Sequence, residues 1–445
     1  MAKWQATRIG KFLKEREGRY DPTDSALQSL KRLNKIDFSG EIHLSDKGSK
    51  TDMIIVEPGD LVISGINVSK GALAVYHGDE PITATIHYSS YSFDETEIDI
   101  EYFKRFLKSQ AFVRALKEQV KGGIKTEIKS KLFLPLEINL PEIESQRAIV
   151  SFFNKVENEM EALSGEITFQ QAYLKKLRQQ ILQEAIEGKL SAAWRKKNPD
   201  LISGEKSASK LLEKIKAQKD QLIKEGKIKK EKPFAPITDT EKPFALPEGW
   251  VWCRLGEASL FGRGKSKHRP RNDAGLFING TIPFIQTGEV SQSKYNRFLI
   301  EKSERFYNEK GLAQSNIWPS GTLCITIAAN IAETGFLTID ACFPDSVVGF
   351  TSLSGNYTPW FVRHYLSSIQ EQIIKFAPAT AQKNINLEII GALLFPMPPL
   401  AEQQAIVERV DKLMIMIDKL EKQVTERKDK SERLMQSVLR EAFEQ

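Results

Sequence analysis

Two heptad-patterned stretches, one mid-chain and one at the end of the sequence, repeat each other in register and limit what this chain can fold into. Residues 141–150 read PEIESQRAIV and residues 398–407 read PPLAEQQAIV, and both copies run on for roughly forty residues without a gap. In the first copy Ile149, Phe153, Val156, Met160, Leu163, Ile167, Gln170, Leu174, Leu177 and Ile181 alternate steps of four and three. The matching residues of the second are Ile406, Val410, Leu413, Ile417, Leu420, Val424, Arg427, Ser431, Leu434 and Val438. Each copy predicts a helical rod of about 60 Å at ~1.5 Å per residue, with one apolar stripe that needs a partner. The other copy is the simplest partner. Gln170, Arg427 and Ser431 put polar groups in the seam, where they either fix register or mark loosened middle turns.

The repeat extends, more faintly, beyond the rods. Trp4, Arg8 and Gly10 match Trp250, Arg254 and Gly256; residues 58–64 resemble 319–326, and Gly71-Ala72-Leu73 resembles Gly335-Phe336-Leu337. These regions are rich in glycine, proline and β-branched runs, so they predict strands, and in each half an aromatic-rich helix follows, over 102–119 and 359–374. The expected class is α+β: two globular mixed domains separated by two long antiparallel coiled-coil helices, with pseudo-two-fold symmetry. The expected boundaries are 1–140 and 246–396 for the globular domains and 141–190 and 397–445 for the helical spacers. Residues 191–245 are expected to be a linker with one short helix and a lysine-rich, solvated face that is also able to touch a polyanion.

At 445 residues the chain exceeds one ordinary core, and 64 Lys+Arg against 58 Asp+Glu leave +6, which favours nucleic acid only where the basic residues cluster. Cys253, Cys324 and Cys342 are widely spaced, which predicts buried thiols and a reducing compartment. No apolar run approaches a membrane span, so a soluble, cytoplasmic protein without membrane contact is expected.

Catalytic patterns are missing from the sequence. The string Gly262-Arg263-Gly264-Lys265-Ser266 ends like a phosphate loop, but Ser259 stands where its first glycine belongs. No glycine-rich turn with a methyltransferase-type NPPY tetrapeptide and no GxSxG elbow occurs. His43, His77, His87, His268 and His364 have no ligand-spaced histidine or cysteine partner and read as lone surface residues, so no metal site is expected. Asp52, Glu57 and Asp60 are scattered carboxylates of the kind chance supplies.

The densest basic cluster is the loop carrying Arg263, Lys265, Lys267, His268, Arg269 and Arg271, which would repel itself unless an anion covered it. Gln286 and Thr287 follow an apolar strand, and Asn330 lies in a loop matching that of Ser64, Asn67, Ser69 and Lys70; each suits either base contact or a turn. Arg16 and Arg19 are basic positions early in the first half. Lys125, before the first rod, and Gln382, Lys383 and Asn384, before the second, suit phosphate contact, which positions without specifying sequence.

Taken in order, the PPLAEQQ string at 398–404 with its weaker first copy, the LPEGW string at 246–250 and the helical link around 222–230 resemble the specificity (S) subunit of Type I restriction–modification enzymes. The resemblance covers nearly the whole chain. It implies two target-recognition domains, each reading half of a split sequence in double-stranded DNA, with paired helices as a ruler. It also implies docking of two methyltransferase (modification) subunits, assembly through them with restriction/translocase subunits, and a role in phage defence. No cofactor is expected on this chain; S-adenosylmethionine, ATP and Mg are implied for the partners. The chain is thus expected to be a non-catalytic recognition subunit, as against a methyltransferase or nuclease with an unrecognised active site, or a coiled-coil scaffold. The first copy departs from the usual proline-rich pattern, with Glu142-Ile143-Glu144-Ser145 where the second has Pro399-Leu400-Ala401-Glu402, which argues against equal partner affinity of the two helical regions but not against the family.

Overall fold

The computed structural model describes residues 4–67, 72–119, 129–228, 232–268, 270, 272–328, 330–351, 359–375 and 385–443. Contacts divide the chain into two compact units, residues 1–170 with 423–445 and residues 171–422, so each rod passes from one unit into the other.

In the first unit a four-stranded sheet has the order Leu13–Glu15, Tyr88–Phe93, Leu61–Ser64, Leu73–Val75. Its strand Leu61–Ser64 is buried throughout, because alternate residues serve two cores: Leu61 and Ile63 face one, Val62 the other. On one side a second sheet, Ile42–Ser45, Arg32–Ile36, Ile82–Thr85, Met53–Val56, contributes Leu33, Ile36, Val56 and Ile82. On the other side the aromatic region forms two helices, Ile100–Leu107 and Gln110–Gln119, which bury Tyr102, Phe103, Phe106 and Phe112. Phe103 meets Phe12 edge to face at 5.5 Å. Each such ring contributes about 1.5–3 kcal/mol by burial.

The second unit repeats this frame and adds to it. Its main sheet runs Leu260–Arg263, Val347–Thr351, Leu323–Thr326, Thr334–Leu337, in the same order as the matching strands of the first unit. A fifth strand, Leu299–Ile300, lies parallel to Thr334–Leu337 at the edge. The entry pair is also repeated: Trp4–Arg8 pairs with Glu137–Pro141, and Val251–Arg254 with Leu394–Met397, in equivalent antiparallel register. Cys253, Cys324 and Cys342 are free and buried.

Residues 191–245 are not a free tether. The helix Ala208–Lys224 buries Leu211, Leu212 and Ile215, one apolar stripe in a lysine-rich helix. Lys219 Nζ donates to the Gly256 carbonyl at 2.6 Å, and Lys216 pairs with Glu257 at 2.8 Å. These two lysines therefore hold protein partners, although half of the Lys216 side chain stays in solvent.

The rods span Ile143–Ile186 and Leu400–Phe443, 44 residues each, or about 66 Å. The first ends where Gly188 turns left-handed (φ +69°) and Lys189 N bonds back to Glu184 O. Within each unit the rod segments run antiparallel. In the first, Ser431 lies against Met160, while Val438 and Ile149 pack on one core; in the second, Arg178 meets Met414 and Asp418 while Ser191 reaches Glu402. Every seam residue from Ile149 to Ile181 is buried or half-buried, as are Ile406, Val410, Leu413, Ile417, Val424, Ser431 and Val438. Leu420, Leu434 and Arg427 are corrections to the heptad reading, because all three are exposed. Glu421 and Met435, one residue after the two leucines, are half-buried, and Glu421 pairs across the seam with Arg178 Nη2 at 3.1 Å.

Candidate nucleic-acid interface

Strand register sends several of the sequence-predicted residues to one end of the main sheet in each unit. In the second, Arg263 pairs with Val348, Thr326 with Val347 and Ile325 with Thr334. The basic loop after Arg263 and the Asn330 loop between Thr326 and Thr334 therefore leave the same end. In the first unit Glu15 pairs with Tyr91 and Ser64 with Tyr88, so Arg16, Arg19 and Asn67 emerge at the equivalent end. Loops collected at one end of a rigid sheet are where binding residues can vary without disturbing the core.

In the basic loop Arg263, Lys265, Lys267 and His268 are all exposed. Polar neighbours brace them: Lys265 Nζ reaches Asn316 Oδ1 at 3.2 Å, His268 N donates to Gln314 Oε1 at 2.7 Å, and His268 Nε2 lies 2.7 Å from Asp273 Oδ2. The Gly275 amide, and then His268, hold the Asp273 carboxyl below its ordinary range. Self-repulsion in this loop is thus relieved partly by the protein itself. Arg269 and Arg271 lie outside the described residues, as do Ser69, Lys70, Lys125, Gln382, Lys383 and Asn384.

Gln286 and Thr287 open a short helix, Thr287–Gln292, rather than end a strand; both are half-buried, and Glu289 accepts the Gln286 amide at 2.7 Å. Asn330 is exposed, with Nδ2 3.4 Å from Ser291 Oγ.

The helix leads into a turn, Ser293–Asn296, followed by two consecutive non-glycine residues in the left-handed region, Arg297 (φ 52°) and Phe298 (φ 64°). Such a conformation costs on the order of 1 kcal/mol or more per residue. Phe298 N donates to Ser293 O at 2.7 Å, and Phe336 N to Phe298 O at 2.7 Å. Ser293 Oγ sits 2.7 Å from Val290 O and 3.1 Å from Thr334 O, an approach that only a glycine at 335 allows, since a Cβ there would fall 2.5 Å from Ser293 Oγ. From below, the buried Arg363 places its guanidinium 3.1 Å from the Phe298 ring centroid. Burial pulls Arg363 down to about 9, so it stays charged at neutral pH. Lys294, Tyr295, Asn296 and Arg297 above are exposed.

In the first unit Arg19 is exposed, whereas Arg16 is committed: Nε and Nη2 grip the Asp60 carboxylate at 2.9–3.1 Å, which also accepts Ser90 Oγ at 2.8 Å. Ser64 is a correction. It is buried at the end of its strand, since its backbone bonds to Ala72 continue the sheet. Asn67 closes the following turn, donating N–H to Ser64 O at 3.1 Å and accepting Ala72 N at 3.2 Å.

Two readings of histidine change. His364 is 1% exposed, so it is no surface residue. Asp37, Glu41 and His43 bring ligand atoms within 4.8 Å of one another, a grouping that spacing did not suggest. Asp37 Oδ1 is already taken by the amides of Ser39, Gly40 and Glu41 and by Ser39 Oγ, which makes the cluster a hairpin brace.

Residues 247–427 match the family model described as the Type I restriction modification DNA specificity domain. That stretch, about two fifths of the chain, is similar to the domain so described. Curated relatives agree: the EcoAI and EcoEI specificity subunits of Escherichia coli are each 30% identical, over 270 and 257 residues. These matches cover 55% and 56% of this chain but only 40% and 42% of the relatives, so the chain spans about two fifths of their length. The HsdS subunit from Thermoanaerobacter tengcongensis superposes with a TM-score of 0.61 over 99% of this chain and 96% of its own, at 18% identity. A chain from a structural study of Type I complex assembly gives 0.59 over 99% and 97%, at 16% identity. The resemblance drawn from the sequence is borne out, and the mixed fold with long helices is that of a specificity subunit. The basic loop, the Asn330 loop and the strained turn all lie within the matched residues 247–427.

Proposed function

We propose that this chain is the sequence-specific DNA-recognition subunit of a Type I restriction–modification complex, reading one half of a bipartite duplex target with each globular half. The observation that carries this is the duplicated sheet whose equivalent end gathers exposed cationic side chains in both units, with the exposed amide of Asn330 beside them in the second. Such groups suit phosphates and base edges, and phosphate contacts set register while base contacts specify. The rods set the unread gap and dock two methyltransferase subunits, through which restriction/translocase subunits join. S-adenosylmethionine then belongs to the methyltransferases, ATP and Mg to the translocase, and the complex works in the cytoplasm. The chain itself catalyses nothing.

Mapping methylated positions across the host genome tests this reading. One consensus with two defined parts and a fixed gap is expected; contiguous motifs, or none depending on this gene, overturn it. Incubating the purified chain alone with DNA, Mg and S-adenosylmethionine is expected to give neither cleavage nor methyl transfer.

A further inference from the structure

The strained turn is the place where the second unit departs from its own repeat. The two main sheets share four strands in the same order, and among the described residues only the second unit adds a fifth, Leu299–Ile300, at the edge. Because Leu299 pairs with Phe336 in parallel, that strand begins at the end of the sheet from which the basic loop and the Asn330 loop emerge. The turn is therefore delivered to the same end, at the opposite edge from the basic loop. Four strand spacings of ~4.8 Å separate those edges by about 19 Å, or about five to six base-pair steps of ~3.4 Å along a duplex.

The side chains there have the chemistry of a reader. Lys294 and Arg297 are cationic, Tyr295 is 79% exposed with Lys294 Nζ 5.3 Å from its ring centroid, and Asn296 Nδ2 braces the turn by donating to Leu299 O at 3.1 Å. Glycine would adopt the backbone at 297 and 298 without strain, yet arginine and phenylalanine stand there. Arg363, Trp360 and the Phe298 amide bond hold the conformation from below. A buried cation that braces a strained loop is an expensive way to hold a mere surface turn.

We infer that Lys294, Tyr295 and Arg297 form a base-reading element for double-stranded DNA, with Arg297 addressing base edges and Lys294 a phosphate, while the basic loop at the other edge grips the backbone. Arg363 is a positioning residue for it. This inference rests on the recognition function proposed above.

The test selects duplexes from a random-sequence library with the full chain, alone and with its methyltransferase partners, and sequences the bound fraction. Arg297→Gly relieves backbone strain while deleting the reading group, so its melting temperature should equal or exceed that of the wild type. Tyr295→Ser serves as a second exposed variant. Wild type is expected to enrich a two-part motif. Both variants should keep one part unchanged and relax the other, with about ten- to hundred-fold lower preference at one or two of its base pairs. Lys265→Ala with Lys267→Ala should instead weaken binding to all sequences and flatten its salt dependence. If Arg297→Gly and Tyr295→Ser fold and enrich the wild-type motif intact, the reading element is refuted while the recognition function stands. If wild type enriches no motif with or without partners, the recognition function fails first.

Discussion

The junction between globular half and rod is built twice, in the same register but with different polar groups. In the second half Glu402 is fully buried and serves as a hub: one oxygen accepts Trp250 Nε1 at 2.8 Å, the other accepts Arg195 at 2.7 Å and Ser191 Oγ at 2.7 Å. In the first half Ser145 replaces it, and the indole N–H of Trp4, counterpart of Trp250, is buried with no hydrogen-bond partner among the described residues. Gln403, also buried, donates from Nε2 to Pro398 O at 3.0 Å in the second half, and the first junction has the counterpart amide without the carboxylate, Gln146. Its amide spans to Pro141 O at 2.9 Å and Glu97 O at 3.1 Å and accepts Asp99 N at 2.9 Å. Both copies thus keep the amide bridge, and the second adds a charged hub beside it. A buried carboxylate with an arginine partner is strong while complete but costly to break, whereas an amide bridge distributes its energy over neutral bonds.

Glu402→Ala should break this comparison most severely. It leaves Arg195 without its partner in a site where that side chain is only 14% exposed, and a loss of about 3–5 kcal/mol is expected in urea unfolding. Gln146→Ala should cost about 2–3 kcal/mol, because it exposes no charge but leaves three backbone groups to find water. Trp250→Phe removes one charge-assisted bond and should cost about 2 kcal/mol, while Trp4→Phe deletes an unpaired donor and should be neutral or slightly stabilising. Equal losses for the two tryptophan variants would contradict the proposed difference between junctions.

The smallest effect concerns how each globular half touches its rod at matching positions, Asn154 and Asp411. The first half uses Arg105, which donates to Asn154 at 2.8 Å and Glu157 at 2.6 Å. The second uses His364, 3.4 Å from Asp411. Burial lowers the His364 pKa, with neighbouring Arg363 adding to the effect and Asp411 opposing it. The unfolded chain, with a histidine near its ordinary ~6.5, then binds protons more readily than the folded one. Stability should fall as pH drops from about 6.5 toward the lowered folded value. Thermal melts between pH 7 and 5.5 should show a steeper decline for wild type than for His364→Gln.

The two rods were readable because a heptad is a local property: a residue's place on a helix depends only on its spacing from the others. The phase of the second rod was not fully readable. Leu420 and Leu434 look like seam residues, yet both are exposed, and beside Leu420 it is Glu421 that pairs with Arg178 of the other rod. The same limit holds at the interface. A concentration of lysine and arginine marks the loop from Arg263 in the sequence itself, and the Asn67 and Asn330 loops are marked by homology between the halves. The string Lys294-Tyr295-Asn296-Arg297 has no comparable density. What distinguishes it is a left-handed backbone and an arginine 66 residues later beneath Phe298, and neither has a signature in spacing.

Duplication, rod length, apolar stripe and family could therefore be read from residue order, since each depends on periodicity or on matching strings. Which groups share a sheet end, which carboxylate anchors Trp250 and why Trp4 has none were decided by the fold. Those outcomes depend on what packing brings within about 3 Å, and hydrogen bonds and buried charges respond to distance in space rather than along the chain.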